Sequence, residues 1–588
     1  MRLKIAAFVL LFAALVPLAV SLFRAGDCPG ATWAWDPSSH ARNGLRLTQG
    51  ITKLDPIGLF RELLYPHHYP PVHSIVQVPF FLALGPGPAA PRIPTILAAF
   101  ATAMLGLALA IRFGANPVAA AIFLAAAFWT SPHYLCMAAV PMLEVFGGLG
   151  LVLFAFCYAR SLDHPGQSRW AALSFTLLFL TATNWFVMAA AALIVHVVLR
   201  HGWRTCRDRL REFIGDYRPH KGLPLAFNLA AVAVIGVAVW VQQTGGFQYG
   251  RLLLKSPLGP ISVATYLIAA QGVAIFWRRR ERIRAWPVAA RAWLSWCAAP
   301  LFAWLFLTEP GRMRGTIGFM FGSASPLPMG ERLLYYPQRW FIDFHLSIAV
   351  GILAAAGAIV LAARWRRLPE GARYLAVLLG VCCAALMAHR ARELRFATGV
   401  LPLFWIAAAV IPANRWIALA AAVAVAGFSA APAAALHRGP LAARVVQQYL
   451  HPGLQPAADF AADACAGARG SFRLISIYDG LTDHVIENEV RARRDFRELR
   501  YDTDFPAGTE ELARAWFDKW KESKKAEDTV VMFLLSPEIL REQSLFFAKA
   551  PHLQKLDGWL AGCPRYRLDR EGDFSAKGVR IRVWKRVD

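Results

Sequence analysis

Charge is scarce in this sequence. Asp, Glu, Lys and Arg make up 17% of its 588 residues, while 57% are hydrophobic and 20 are tryptophan. That apolar content exceeds what one soluble core needs and points to a polytopic membrane protein. Acid is scarcer than base, with 38 Asp and Glu against 63 Lys and Arg, a net charge of +25. In a soluble chain this balance would suggest nucleic acid. Here the bases collect in short loops between apolar runs of about 14–22 residues, as in cytoplasmic loops facing anionic lipid, and no nucleic-acid partner is expected. The nine cysteines form no C-x-x-C pair and no metal-ligand spacing, and most sit inside apolar runs as small hydrophobes. Solenoid repeats and low-complexity tracts are absent as well. Residues 1–23 have the basic start and apolar body of a signal sequence but no small-x-small cleavage site, so a retained signal anchor with its amino end inside is expected.

Sidedness follows from parity. The first helix leaves near Phe23, and residues 24–91 form a long hydrophilic outer loop with juxtamembrane helices. Within it, VHSIVQVPFFLALG (72–85) contains Pro79 and is too short to cross a ~30 Å core upright, so it is expected to lie at the interface or re-enter. The next helix then runs inwards from about Arg92 to Arg112. A further helix from about Ala115 leads out near Glu144, and later loops alternate. With this choice the densest basic segments, residues 200–221, RRRERIR (278–284) and RWRR (364–367), all fall inside. About thirteen helices result, with everything after about Leu436 outside. Three outer loops break the charge rule: 245–260, 309–340 and HRARELR (389–395). An arginine inside the bilayer costs about 2.5–3.5 kcal/mol on insertion scales, so HRARELR is expected to serve another use.

The fold class expected is therefore mainly α, a membrane region over residues 1–436, followed by an extracytoplasmic α/β domain over 437–588. FRLISIYDG (472–480) reads as a strand, TEELARAWFDKWKESKK (509–525) as an amphipathic helix, DTVVMFLLSPEIL (528–540) as a buried strand entering a helix, and VRIRVWKRV (579–587) as a closing strand. Cys465 and Cys563 share that domain, as a disulfide or as two free thiols.

The order of polar features along residues 1–436 resembles the GT-C superfamily of polyprenyl-phosphate-sugar glycosyltransferases, in particular the protein O-mannosyltransferase and aminoarabinose transferase branches. The matching features are Asp36 outside the first helix (WDPSSHARNGL), a loop closing on Pro70-Pro71, Arg92 opening the next helix (RIPTIL), Glu144 in PMLE, and the late HRARELRFATGVLPL. Many relatives carry an acidic pair where this chain has Asp36-Pro37, and several have Lys or His where it has Tyr69.

The resemblance implies attack by an acceptor hydroxyl on the anomeric carbon of a lipid-phosphate sugar, with a carboxylate taking the proton and cations holding the departing phosphate. Asp36 is the candidate base; its bland alternative is an Asp that starts a turn or caps a helix. Glu144 either orients acceptor or sugar or reaches for the headgroups. The two acids could share a divalent cation, Mg or Mn, the one cofactor to consider. His40, His68, Tyr69, Arg92, Arg312, Arg339, His389, Arg392 and Arg395 form the expected substrate-binding set. Arg392 and Arg395, with His389 three before them, would present guanidinium groups to a phosphate on one helical face, or to any anionic headgroup. The loop 309–340 would lie over the site as a lid or be plain surface. Four histidines, His40, His67, His68 and His73, invite zinc but lack an accompanying tetrahedral pattern. The partners expected are the lipid bilayer, a polyprenyl-phosphate sugar donor, and a glycan, lipid or protein acceptor, at the outer face of a bacterial inner membrane with the amino terminus cytoplasmic. A transporter would instead place ionisable groups at mid-span, where few are found, and a structural assembly protein would need none of these polar elements.

Overall fold

The computed structural model describes the chain apart from residues 29, 65–69, 215–221, 245–246, 250–251, 255–262, 265, 268–269, 275–276, 278–279, 285, 308–328, 389–392, 412–413, 467–471, 476–480, 482, 494–500, 503–509, 523–528, 538–552 and 588. Its membrane part begins with ten helices: α1 (Arg2–Ala25), α2 (Trp35–Thr52), α3 (Pro56–Leu64), α4 (Val72–Leu84), α5 (Ala89–Arg112), α6 (Pro117–Trp129), α7 (Pro132–Ala139), α8 (Leu143–Asp163), α9 (Ser168–Thr181) and α10 (Thr183–His201). Among the described residues six helices are long and apolar enough to cross a bilayer, seven if α6 and α7 count as one broken span. Four further apolar helices among the described residues are shorter, 10–17 residues. The chain is thus a mainly helical, polytopic membrane protein.

One expectation needs correcting. The run from Ala115 does not carry a straight helix out to Glu144; α6 and α7 meet at a 74° bend. Pro132 explains the break, because it lacks the N–H that would continue the ladder and disfavours helical geometry at Ser131 before it, which is extended at φ −99°, ψ 93°. Glu144 accordingly lies in the first turn of α8 rather than at the end of the helix before. The short apolar run at 72–84 does form one helix, α4, with Pro79 inside it.

One apolar core gathers the membrane helices and continues to Leu436, Leu441, Val445 and Leu450, so the helix Pro440–Tyr449 belongs to that body. A second body follows, a five-stranded mixed sheet in the order β6-β5-β7-β9-β8. Its strands are β5 (Phe472–Ile475), β6 (Tyr501–Asp502), β7 (Thr529–Leu535), β8 (Tyr566–Phe574) and β9 (Val579–Arg586); β1 (Ala31–Trp33) pairs with β4 (Leu450–Pro452), and β2 (Phe247–Tyr249) with β3 (Leu252–Leu254). Strand alternation sorts the sheet's two faces. Val531, Phe533 and Leu535 of β7 and Val579, Ile581 and Val583 of β9 join the helices Gln455–Ala466 and Asp483–Arg493 in one core. Val530, Met532 and Trp584 face the helices Glu510–Lys521 and Leu553–Ala561 in another. The last strand is not an edge: β8, unread in the sequence, pairs outside it. Cys465 and Cys563 are free thiols, one in each core, with the sheet between them.

The two bodies meet on α2. Arg42 and Arg46 of α2 and Arg491 of the helix Asp483–Arg493 all reach Glu487, at 3.3, 3.6 and 2.7 Å, with the Glu487 side chain 1% exposed. Arg491 also donates to Gln49 Oε1 at 2.8 Å, and the Asn488 amide to the Ser38 carbonyl at 3.1 Å. Burial alone would raise the Glu487 carboxyl, but Arg42, Arg491 and Arg46 outweigh it and hold it at about 2, below its ordinary 4.5. A carboxyl lowered on folding contributes stability above its unfolded value and loses it as the pH falls through the folded one. Glu487→Ala should cost about 3–5 kcal/mol by leaving buried guanidinium groups without a counter-charge. Amide exchange, corrected for its intrinsic pH dependence, should rise across residues 35–52 in this variant and stay unchanged in Ala89–Arg112. In the wild type, protection of residues 35–52 should hold down to about pH 4.5 and fade from there towards 2; protection that is equal in both proteins would dissociate Glu487 from the docking.

Candidate active site

Asp36 and Glu144 each sit in the first turn of a helix, where the exposed N–H groups and the helix dipole favour negative charge. Sequence places them 108 positions apart (144 − 36). The fold brings both to Arg395. The Arg395 guanidinium forms an ion pair with Asp36, lies 3.7 Å from Glu144 Oε1 through Nε, and also pairs with Glu393. The first three are sheltered, the side chains of Arg395, Asp36 and Glu144 being 19%, 24% and 9% exposed, while Glu393 is half-exposed. Glu144 Oε2 has no hydrogen-bond partner among the described residues.

Close backbone packing makes this meeting possible. Gly147 and Gly148 follow Glu144 by about one turn, and a Cβ on Gly147 would overlap the indole of Trp185, which is 1% exposed at the start of α10. A Cβ on Gly148 would stand 3.2 Å from Gly399 Cα, and one on Gly399 would stand 2.8 Å from the Trp185 ring. The short helix Arg395–Thr398 is therefore pressed against the head of α8, with Arg395 directed at its first turn.

The Asp36 helix is held from several sides. Just before it, β1 pairs with β4, and the Ala34 N–H donates to the Tyr449 carbonyl at 2.8 Å. His40, one turn after Asp36 and 3% exposed, packs its ring edge-to-face on His73 of α4 at 4.9 Å, and His73 packs on Phe146 of α8 at 4.8 Å. The Gln77 amide lies 3.4 Å from the His73 ring nitrogens, and Gly44 gives it room, since a Cβ there would overlap it. Both polar side-chain atoms of Asn43, and Gln77 Oε1, are buried without a hydrogen-bond partner among the described residues. Asp36, His40 and Asn43 fall at i, i+4 and i+7, one face of α2, while Arg42, Arg46 and Gln49, about a third of a turn round the helix, take another face to the C-terminal body.

Arg92 is 1% exposed and lies apart from these groups. It donates to the Phe23 carbonyl and, at 3.0 Å, to the Ala139 carbonyl, satisfying groups that the ends of α1 and α7 leave open. Arg339 pairs with Asp343 at 3.2 Å, and Asp343 lies 3.9 Å from Arg444, a neighbouring charged cluster tied to the site where the Tyr336 hydroxyl donates to the Glu393 carbonyl at 3.2 Å. His67, His68, Tyr69, Arg312, His389 and Arg392 lie outside the described residues. Two groups that the sequence reading passed over belong here. Glu393 was hidden among the arginines of HRARELR, where a carboxylate two residues before Arg395 was the available signal. Tyr449 lies on a helix with no motif; burial, followed by the Glu144 carboxylate, raises its phenol above the ordinary value, with Arg395 and Glu393 also within electrostatic reach.

The place between Asp36 and Glu144 that a shared divalent cation would take is held by the Arg395 guanidinium. Among the described residues no three His, Cys, Asp or Glu side chains come together in a metal-binding group. The residues described suit a cationic side chain better than an ion.

Gly147→Ala should force Trp185 away and cost about 1–3 kcal/mol, the usual size of core overpacking. Thermal unfolding in detergent should show the loss, whereas Gly427→Ala, inside a helix and with nothing within 4 Å of the new Cβ, should melt at or slightly above the wild-type temperature.

No protein-family model matches the sequence, and no curated protein matches it. Its fold does have solved counterparts. The chain is similar to ArnT from Cupriavidus metallidurans in the apo state, at 14% identity and a TM-score of 0.52 over 98% of each chain. It is likewise similar to the same protein bound to undecaprenyl phosphate, at 14% identity and a TM-score of 0.51 over 97% of each chain. This shared fold, running nearly the whole length of both proteins, agrees with the aminoarabinose transferase resemblance in the order of polar features along residues 1–436.

Proposed function

We propose that this chain is a membrane glycosyltransferase that moves a sugar from a polyprenyl-phosphate carrier to an acceptor hydroxyl at the extracytoplasmic face. The observation that carries the reading is the Arg395 guanidinium set between the carboxylates of Asp36 and Glu144, in a fold shared with a protein solved with undecaprenyl phosphate. Arg395 partners Asp36 in the resting site. A lipid phosphate competes for the guanidinium by bidentate bonding and leaves the Asp36 carboxylate to act as base. Asp36 then takes the proton of the acceptor hydroxyl as its oxygen bonds to the anomeric carbon. The bond from that carbon to the phosphate oxygen breaks on the opposite side, its electron pair leaving with the lipid phosphate, so the configuration inverts.

Glu144, close by at the head of α8, orients the sugar or the acceptor. The unpaired buried groups of Asn43 and Gln77, with Asn43 on the same face of α2 as Asp36, suit a hydroxyl-rich substrate. The acceptor class, a glycan, a lipid or a protein, is open to the same assay. The distribution of Lys and Arg supports an amino terminus in the cytoplasm and a C-terminal body outside. A flippase would also hold a lipid phosphate, but it would not require a base.

Purified protein incubated with a panel of labelled polyprenyl-phosphate sugars should release label from one of them in the presence of acceptor. Asp36→Asn should slow transfer by roughly 10²–10⁴-fold while its melting temperature stays near that of the wild type. Undiminished transfer by Asp36→Asn would remove Asp36 as the base, and no release from any donor would sink the reading.

A further inference from the structure

The face of the C-terminal sheet that is turned away from α2 carries a groove that the reaction at Asp36 does not use. It is an open cavity of about 550 Å³ between the helix Glu510–Lys521 and the end of the helix Leu553–Ala561 with the turn after it. That volume falls within the range, about 300–1,000 Å³, of sites that take small ligands. Phe517, 1% exposed, forms the floor, and the half-buried indole of Trp559 forms a wall. Arg514, Lys521 and Arg565 line it, and among the described residues one carboxylate, Glu522, lines it with them.

These cations are ordered around the aromatic groups. The Arg514 guanidinium lies 5.0 Å from the Trp559 ring and 5.8 Å from Phe517, and the Lys521 ammonium lies 5.7 Å from Phe517. Asp518, beside the groove, fixes Arg514 at 3.3 Å and Lys521 at 2.7 Å, and Arg565 donates to the Lys521 carbonyl at 2.7 Å. Three bases spaced this way around an aromatic wall offer an apolar surface for stacking together with fixed positive charge. A neutral sugar would use only the first. A ligand with a flat CH face and a carboxylate or phosphate group would use both.

We propose that this groove binds an acidic saccharide, a chain of sugar units bearing carboxylate or phosphate groups, and holds it by its length while the reacting end lies elsewhere. The choice of a saccharide over other anions rests on the sugar-transfer reading; the groove itself does not. Its position supports anchoring rather than reaction, because the sheet separates it from the helix Asp483–Arg493 that docks on the Asp36 helix.

The test is direct binding to the full-length protein in detergent, measured by calorimetry without any donor, so that it stands apart from transfer activity. The probes are a hexamer of galacturonic acid, a neutral maltohexaose, a single-stranded oligonucleotide of equal charge, and inorganic phosphate. The acidic hexamer should bind roughly tenfold or more tightly than the neutral one and than either non-saccharide anion, and Trp559→Ala should weaken it by a similar factor, as expected for a lost stacking and cation–aromatic contact. Trp559→Phe should keep most of the affinity, and Arg514→Gln combined with Lys521→Gln should erase the preference for acid over neutral. Arg567→Gln, on the edge strand β8, should change nothing. Equal binding of acidic and neutral hexamers, equal binding of the oligonucleotide or phosphate, or full affinity in a folded Trp559→Ala variant would overturn the proposal. If the hexamer binds as described while no sugar donor is turned over, the groove stands and the transfer reading falls; turnover without such binding gives the reverse.

Discussion

A guanidinium sheltered from water needs acidic partners, and Arg395 finds three, Asp36, Glu144 and Glu393, two of them brought from distant parts of the chain. Asp36 and Glu144 reach their positions at the heads of α2 and α8, and Arg395 reaches both. In a medium of reduced dielectric each of these charges would be costly alone, and the guanidinium, with donors in a fixed plane, can serve several acceptors together. The geometry depends on close approach of backbones. Gly147, Gly148 and Gly399 around Trp185 remove the side chains that would hold the Arg395 turn away from α8. A charge arrangement thus rests on three missing Cβ atoms.

The Asp36 helix illustrates how a loop in sequence becomes a rigid element. One face carries Asp36, His40 and Asn43; Asp36 meets Arg395, and His40 packs on His73 of α4, which links it to Phe146 of α8. Another face carries Arg42, Arg46 and Gln49 into the docked helix Asp483–Arg493, where Glu487 collects three guanidinium groups. The pairing of β1 with β4 ties the start of the helix to the chain that leaves the last membrane helix. A side chain proposed for proton transfer benefits from such support, because its position is set by packing on several sides. The C-terminal body contributes its structure to the site at a distance, through the helix on which the carboxylate stands.

Much of this organisation was legible in the residues. Apolar runs marked the long helices, and a run of thirteen or so residues with Pro79 marked the short helix α4. A continuous apolar run located β7, a period-two pattern β9, and an amphipathic pattern the helix Glu510–Lys521. Local chemistry is also what made Asp36, Glu144 and Arg395 stand out, as polar exceptions near the ends of apolar segments. Other features were illegible for physical reasons. β8, YRLDREGDF, reads as polar because much of it lies exposed at the sheet's edge. Pro132 was visible, but a proline can kink, break or start a helix, and only its neighbours decide that α6 stops and α7 turns by 74°.

Hydrophobic content and its spacing, which act over one or two turns of chain, determined that this protein is a helical membrane protein with a small mixed α/β body after it. The identity of the polar residues likewise fixed what chemistry could be carried. Tertiary structure alone decided which of them meet: that Arg395 stands between Asp36 and Glu144, that Arg92 spends its donors on the ends of α1 and α7, and that Tyr449 and Glu393 border the same charges. Contacts between residues hundreds of positions apart depend on how whole helices pack, and that packing is governed by shape, by absent side chains such as those of Gly147 and Gly148, and by charges that must be neutralised once buried.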